Sequence, residues 1–285
     1  MGRNVKAWTV VVKDKRGRGP GRWGSRGPAC GDLGILGIFE GMIDLHCHLL
    51  PGLDDGAVSM ESSVEMARQL VEAGVSIVAP SPHYGEGPGG DVPVQEATRV
   101  RQLLQERLRK EGVELTLLPN AEHHISPALF ERVDRGAVVP LGGGGRWLLV
   151  ELPWSPVPNA EDILFRLQMK GYRVLLAHPE RHGYLAFEGV ERLVERGVKL
   201  QIELGSWVGV YGRRAQKRAR RFGDRGLAHV VASDLHRPEA WIDAGMRAVL
   251  KRYGEGGLAR AMQINPRALL DDAAPEVVRP FSEAR

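Results

Sequence analysis

From residue 42 onward the chain alternates short runs of β-branched and aliphatic residues with longer amphipathic stretches. Short apolar runs predict strands, and apolar residues at i, i+3, i+4 and i+7 predict helices, so the alternation predicts successive βα units around a parallel sheet or barrel. Strands are expected at 43–46, 76–79, 114–118, 147–151, 173–177, 199–203 and 229–232. The first helix runs from an N-cap candidate, Ser59, through Val64, Ala67, Leu70 and Val71 to Gly74, a residue suited to the left-handed turn that ends a helix. The second carries Ala97, Val100, Leu104 and Leu108 and stops at Gly112; later helices are expected near 127–134, 160–170, 190–195, 213–222 and 239–253.

Residues 1–41 lack this pattern. They are rich in Gly and Arg, without sustained periodicity, and are expected to be a disordered extension or sequence upstream of a true start at Met42. The main domain is expected at 42–270, followed by a flexible C-terminal tail at 271–285.

Composition narrows the function classes. A 285-residue chain that is 43% hydrophobic can bury one sizeable core. The two cysteines, Cys30 and Cys47, are too few for a disulfide scaffold, and no signal-peptide pattern is present, so a reducing cytoplasm is expected. No apolar stretch approaches the roughly 20 residues that span a bilayer, so no membrane insertion is expected. The net charge of +4 is concentrated at the start: residues 1–41 hold a surplus of five basic charges, leaving the remainder with one net negative charge. The basic run at 213–221 has no interleaved aromatic residues and reads as a solvated helix face, so no nucleic-acid partner is expected.

Candidate metal ligands recur at or just past the C-terminal ends of most expected strands. His46 and His48 end the first, His83 follows the second, Glu122 the third, Glu151 ends the fourth, His178 follows the fifth, and Asp234 and His236 the seventh. In a βα barrel those ends open onto one face. His46-Cys47-His48 and Asp234-Leu235-His236 are i, i+2 pairs, which in extended backbone share a face and can chelate one ion. Either pair alone reads first as ordinary packed or surface side chains; their joint recurrence with carboxylates able to bridge cations is what points to metal. In Pro51-Gly52-Leu53-Asp54-Asp55-Gly56 the acids fit a turn as well as a ligand role. Glu122 and Glu151 follow apolar runs, where a lone carboxylate is costly and either a cation or an arginine would compensate it. Arg181, in His178-Pro179-Glu180-Arg181, suits bidentate contact with phosphate, with a rim salt bridge as its structural alternative. His123, His124 and His182 are read as lining the entrance, and His229 as packing.

There is no P-loop, no Gly-x-Ser-x-Gly elbow, no His-Glu-x-x-His helix and no Cys-x-x-Cys pattern. A cysteine-based phosphatase loop is also absent, since Cys47 meets no arginine before Arg68.

Taken in order, His46-x-His48, Pro51-Gly-x-Asp-Asp-Gly56, Pro82-His83, Ala121-Glu122, Glu151-x-Pro153, Ala177-His-Pro-Glu-Arg181 and Ala232-Ser-Asp-x-His236 resemble the motif series of the polymerase-and-histidinol-phosphatase (PHP) superfamily. Within it, the chain resembles the CpsB/CapC-type protein-tyrosine phosphatases of bacterial capsule and exopolysaccharide synthesis, over roughly residues 42–265. The resemblance implies an α/β fold, a distorted seven-stranded (β/α) TIM-like barrel, with three divalent metal ions, commonly Mn²⁺, with iron or zinc as alternatives. Carried over residue by residue, one ion takes His46, His48, Glu122 and Asp234, a second shares Glu122 and adds Glu151 and His178, and a third takes Asp55, His83 and His236. Arg181 would bind the phosphate. The family's second phosphate-binding arginine has no counterpart in register, and Arg237 is the candidate substitute. The implied reaction is attack of a metal-bound hydroxide on a phosphomonoester, with Asp55, His83 or His236 assisting the leaving phenolate. The implied substrate is phosphotyrosine on a membrane-associated tyrosine autokinase. A small-molecule, histidinol-phosphate-like phosphatase and a non-catalytic metal-binding docking module are the alternatives; a nuclease is disfavoured because residues 42–285 lack net positive charge.

Overall fold

The computed structural model describes residues 41–282, apart from 86 and 88; the expected N-terminal extension and Cys30 lie outside the described residues. Nine parallel strands follow in order: β1 (Met42–Cys47), β2 (Val75–Pro80), β3 (His83–Tyr84), β4 (Thr116–Leu117), β5 (Glu122–His124), β6 (Trp147–Glu151), β7 (Arg173–Leu176), β8 (Lys199–Glu203) and β9 (Val230–Ala232). They form one hydrogen-bonded stretch, β1-β2-β4, and a second, β3-β5-β6-β7-β8-β9.

The two extra strands were not expected, and proline explains them. Pro80 and Pro82 lack the N–H that a ladder needs, so one extended segment is cut into β2 and β3; Pro119 interrupts β4 and β5 in the same way. Side chains bridge the break: Asn120 Nδ2 donates to Ser81 Oγ (2.8 Å) and to the carbonyl of Leu45 (3.1 Å). With each broken pair counted as one, there are seven strand positions, as expected. The seam between β9 and β1 is closed beyond the strand ends, where Asp234 N donates to His46 O (2.8 Å) and His48 N to Leu235 O (2.9 Å). The result is a distorted parallel α/β barrel.

The helices are α1 (Met60–Glu72), α2 (Val94–Lys110), α3 (Pro127–Asp134), α4 (Ala160–Met169), α5 (Phe187–Glu195), α6 (Leu204–Val208), α7 (Gly212–Asp224), α8 (Ile242–Ala259) and α9 (Asn265–Leu270). Ser59 caps α1 as expected, accepting from Ser62 N. The basic run lies on α7, which buries Ala215, Ala219 and Phe222 and leaves Arg213, Arg214, Lys217 and Arg220 in water. Along β6 and β7 the faces alternate: Trp147, Leu149, Leu175 and Ala177 belong to an inner cluster, and Leu148, Val150, Val174 and Leu176 to the shell beneath the helices. Cys47 is free and buried in that outer shell.

The C-terminal segment departs from expectation. Instead of a flexible tail, Val278 packs with Ile43, Trp147 and Val230 at the strand starts, Phe281 is buried, and Phe281 N donates to Ala228 O (3.0 Å). Two apolar side chains suffice to dock a segment whose backbone is bonded to the barrel.

Candidate metal centre

The expected ligands converge, and Glu122 lies at their middle. Its Oε1 is 3.0 Å from His178 Nε2 and 3.3 Å from His46 Nε2; its Oε2 is 3.0 Å from His83 Nδ1 and 3.5 Å from His48 Nε2. Asp234 Oδ1 stands 3.1 Å from His46 Nε2 and 3.3 Å from His48 Nε2. Asp55 Oδ1 joins His83 Nε2 (3.2 Å) to His236 Nε2 (3.4 Å). Glu151 Oε1 is 3.9 Å from His178 Nε2, while its Oε2 accepts from His124 Nδ1 at 3.0 Å.

Local structure sets these positions. Glu151 extends the inward row of Trp147 and Leu149 to the end of β6, so period-2 alternation delivers it to the barrel mouth. His178 (φ 33°) and Asp234 (φ 50°) take left-handed backbone, uncommon for residues with a Cβ, which swings them out of strand alternation. Buried Asp44 ties the seam beneath them, accepting from Ser233 Oγ (2.5 Å), Ser233 N (3.1 Å) and His46 N (3.1 Å). At Gly56 an added Cβ would lie 2.3 Å from His48 O, so only glycine lets the Asp54-Asp55 turn fold against that histidine.

The two acids of that turn have separate duties. Asp54, with its side chain 1% exposed, accepts from His48 Nδ1 at 2.8 Å, whereas Asp55, 60% exposed, faces His83 and His236. Gln201 Oε1 likewise accepts from His46 Nδ1 (3.0 Å), and the carbonyl of Asp234 from His236 Nδ1 (2.9 Å). A proton held on Nδ1 leaves Nε2 with its lone pair directed at the cluster, the arrangement in which outer partners orient metal-binding histidines. Asp54 and Gln201 were not foreseen in this role.

Several sets of ligand atoms lie within 4.8 Å of one another: His48, Asp55, His83 and His236; His46, Glu122 and His178; His46, His48 and Asp234; His83, Glu122 and Glu151; and His178, Glu203 and Asp234. Asp234 Oδ1 and His178 Nδ1 are buried without a hydrogen-bond partner. Mixed nitrogen and oxygen donors suit manganese, iron and zinc alike, so the residues fit divalent cations. Burial alone would depress the His46 pKa, but Glu122 and Asp234 outweigh it and raise it to about 9. His83 also rises against its burial, to about 10, through Asp55 and Glu122. Below those values the metal-free cluster holds protons where cations would sit. Cation binding should therefore release protons at pH 7, and affinity should climb with pH until about 9 to 10 and then level off. Calorimetric Zn²⁺ titrations in buffers of different ionisation enthalpy measure this; a proton count of zero would contradict it.

A cavity of about 240 Å³ opens over the cluster, lined by Glu122, Asp234, Arg181 and Trp154 among others. Arg181 NH1 donates to Glu203 Oε1 (2.8 Å) and Asp234 Oδ2 (3.1 Å), and its Nε and second amino group make no hydrogen bond among the described residues. Its Cζ lies 4.6 Å from the Trp154 ring and 4.2 Å from the Tyr211 ring. Glu203, fully buried, is pushed well above the usual carboxylate range by desolvation and by neighbouring Asp234. Arg237 does not join the site: it is exposed and donates to Glu239 Oε1 (2.8 Å), outside the cavity lining. The reason is local, since an acid two residues on captures its guanidinium. His123 is also no entrance residue, being buried with Nδ1 on Leu149 O and Nε2 accepting from Val139 N. His229 packs, as expected. Glu203 was missed although it ends β8 as Glu151 ends β6, and the strand-end rule would have found it. Trp154 and Tyr211 lie in loops and carried no sequence signal.

The family described as "Capsular polysaccharide synthesis, CpsB/CapC" matches residues 42–271. The chain is 35% identical over 198 residues to the tyrosine-protein phosphatase YwqE of Bacillus subtilis (strain 168), covering 68% of this chain and 77% of that protein. It is 25% identical over 242 residues to the tyrosine-protein phosphatase CpsB of Streptococcus pneumoniae, covering 81% of this chain and 99% of that one. A crystal structure from a study of YwqE and CpsB, described as unique metal-dependent tyrosine phosphatases, superposes with a TM-score of 0.76 at 30% identity, covering 86% of this chain and 99% of that chain.

Proposed function

Since the chain belongs to the CpsB/CapC family, we propose that it is a metal-dependent tyrosine-protein phosphatase acting in capsule or exopolysaccharide synthesis. The observation that carries this reading is the joining of four histidines to one carboxylate, Glu122, beneath a cavity that also holds Arg181. Three divalent ions, taken as Mn²⁺, would be held by His46, His48, Glu122 and Asp234, by Glu122, Glu151 and His178, and by Asp55, His83 and His236. Such ions, when bound, bring the pKa of coordinated water toward ~7 and neutralise phosphoryl oxygens.

The chain's own residues do the rest. Arg181, held by Glu203 and Asp234 through one nitrogen, offers its remaining N–H groups to the phosphate. Asp54, Gln201 and the Asp234 carbonyl keep His48, His46 and His236 in the tautomer that presents Nε2. A tyrosine phenolate, with a conjugate-acid pKa of about 10, leaves with little help from a general acid; Asp55, His83 and His236 line the cavity and would assist it. No helix among the described residues is long and apolar enough to cross a membrane. We take the working place to be the cytoplasm and the substrate to be a phosphotyrosine protein such as a membrane-associated tyrosine autokinase.

The test is a comparison of kcat/KM, with Mn²⁺ present, for a phosphotyrosyl peptide, the phosphoseryl peptide of the same sequence, and histidinol phosphate. The phosphotyrosyl peptide should lead by about 100-fold or more. Faster turnover of histidinol phosphate would replace this reading with that of a small-molecule phosphatase.

A further inference from the structure

Trp154 is 44% exposed, a large aromatic surface left in water at the mouth of the cavity. Its placement is fixed. Tyr184 Oη donates to the carbonyl of Pro153 (2.7 Å), which pins the backbone before it. Its ring stacks on His178, with centroids 5.7 Å apart and planes 7° from parallel, and His182 packs 4.8 Å away, tilted by 32°. The Arg181 guanidinium lies 4.6 Å from the same ring. One flat apolar surface thus stands beside both a proposed metal ligand and the proposed phosphate-binding group, already oriented before any substrate arrives.

We propose that Trp154 is an aryl-binding subsite: when a phosphomonoester lies on Arg181, the phenyl ring of its leaving group packs against the indole. The inference rests on the phosphatase reading above and adds the group that selects aryl over alkyl esters. A ring joined to phosphorus through one oxygen extends outward from Arg181 toward the indole, and aromatic pairs gain at centroid separations of 4.5–7 Å in offset or tilted geometry. A seryl phosphate has no flat surface to offer. Because the indole is held by His178 and by the Tyr184 hydrogen bond, stacking costs little further ordering. Tyr211 contacts the guanidinium as well but does not line the cavity, so it steadies Arg181 without meeting the ring.

The experiment compares Mn²⁺-loaded wild type, Trp154→Ala and Trp154→Phe for binding of phenylphosphonate and methylphosphonate, non-hydrolysable anions that differ only in the organic group. Trp154→Ala should weaken phenylphosphonate about 3- to 10-fold and leave methylphosphonate unchanged, with Trp154→Phe restoring most of the loss. The KM for p-nitrophenyl phosphate should rise by the same factor, with kcat within about twofold. Equal weakening of both phosphonates would show that Trp154 acts on the anion site through Arg181, and no change in either would show that it does not meet the ligand; both overturn the subsite. If wild type hydrolyses no phosphomonoester yet loses its phenyl-over-methyl preference in Trp154→Ala, the phosphatase reading fails and the subsite stands.

Discussion

Glu122→Gln should lower kcat/KM for phosphotyrosyl substrate by about 10³-fold or more, since loss of a bridging carboxylate removes several kcal/mol of charge stabilisation at the reacting centre. No other side chain among the described residues approaches His46, His48, His83 and His178 at once. Glutamine matches the shape but presents an amide N–H₂ where one pair of imidazole nitrogens needs an acceptor or a shared cation, and it carries no charge to hold one. Metal content should fall in parallel. Glu151→Gln should be milder: its Oε1 stands 3.9 Å from His178 and its Oε2 is engaged by His124. Steady-state kinetics combined with elemental analysis check the pair. A Glu122→Gln protein that keeps more than a tenth of wild-type turnover with full metal content would remove Glu122 from the centre of the site.

This hub is legible in the sequence only through position. Glu151 could be placed because alternation along β6 is regular, and a residue two steps past Leu149 must share its face. His46 and His48 were found by the same spacing, as were Asp234 and His236, although Asp234 takes left-handed backbone (φ 50°) beyond the end of β9. Where the backbone departs from regular strand, the reading stops short. The breaks at Pro80, Pro82 and Pro119 hid β3 and β5, because the hydrogen bonds that carry the sheet across them come from Ser81 and Asn120, distant in sequence from one another. The choice between turn and ligand for Asp54 and Asp55 was undecidable locally, and the fold divides it: one acid orients His48, the other faces the cavity. Arg237, the out-of-register candidate for a second phosphate-binding arginine, is held by Glu239 instead. Trp154 acquires meaning only from His178 and Arg181, which arrive from beyond another strand. Isolated apolar residues such as Val278 and Phe281 gave no periodic signal, yet they dock the C-terminal segment.

Stripping divalent metal with a chelator should abolish hydrolysis, to below about 1% residual activity, and Mn²⁺ should restore it, because no cysteine or serine among the described residues lines the cavity. The stripped protein should nevertheless stay folded at pH 7. Its packing cores are built from strand and helix residues outside the cluster, and its buried carboxylates are compensated by protons on the histidines. That compensation has a definite pH range. The folded-state pKa values of His46 and His83, about 9 and about 10, lie above the ordinary imidazole value of 6.5. The stabilisation they bring is fully present below about 6.5 and is lost as pH rises through 9 to 10, where Glu122 and Asp234 are left as buried anions without cations. Metal-free protein should thus melt at a lower temperature at pH 10 than at pH 7, and metal-loaded protein should show a smaller drop, since bound cations replace the lost protons. Thermal melts of stripped and reloaded protein at both pH values, run beside p-nitrophenyl phosphate assays, measure all four arms. Activity that survives complete chelation would leave the cluster a structural one, and a stripped protein equally stable at both pH values would show that its histidines do not carry the compensating charge.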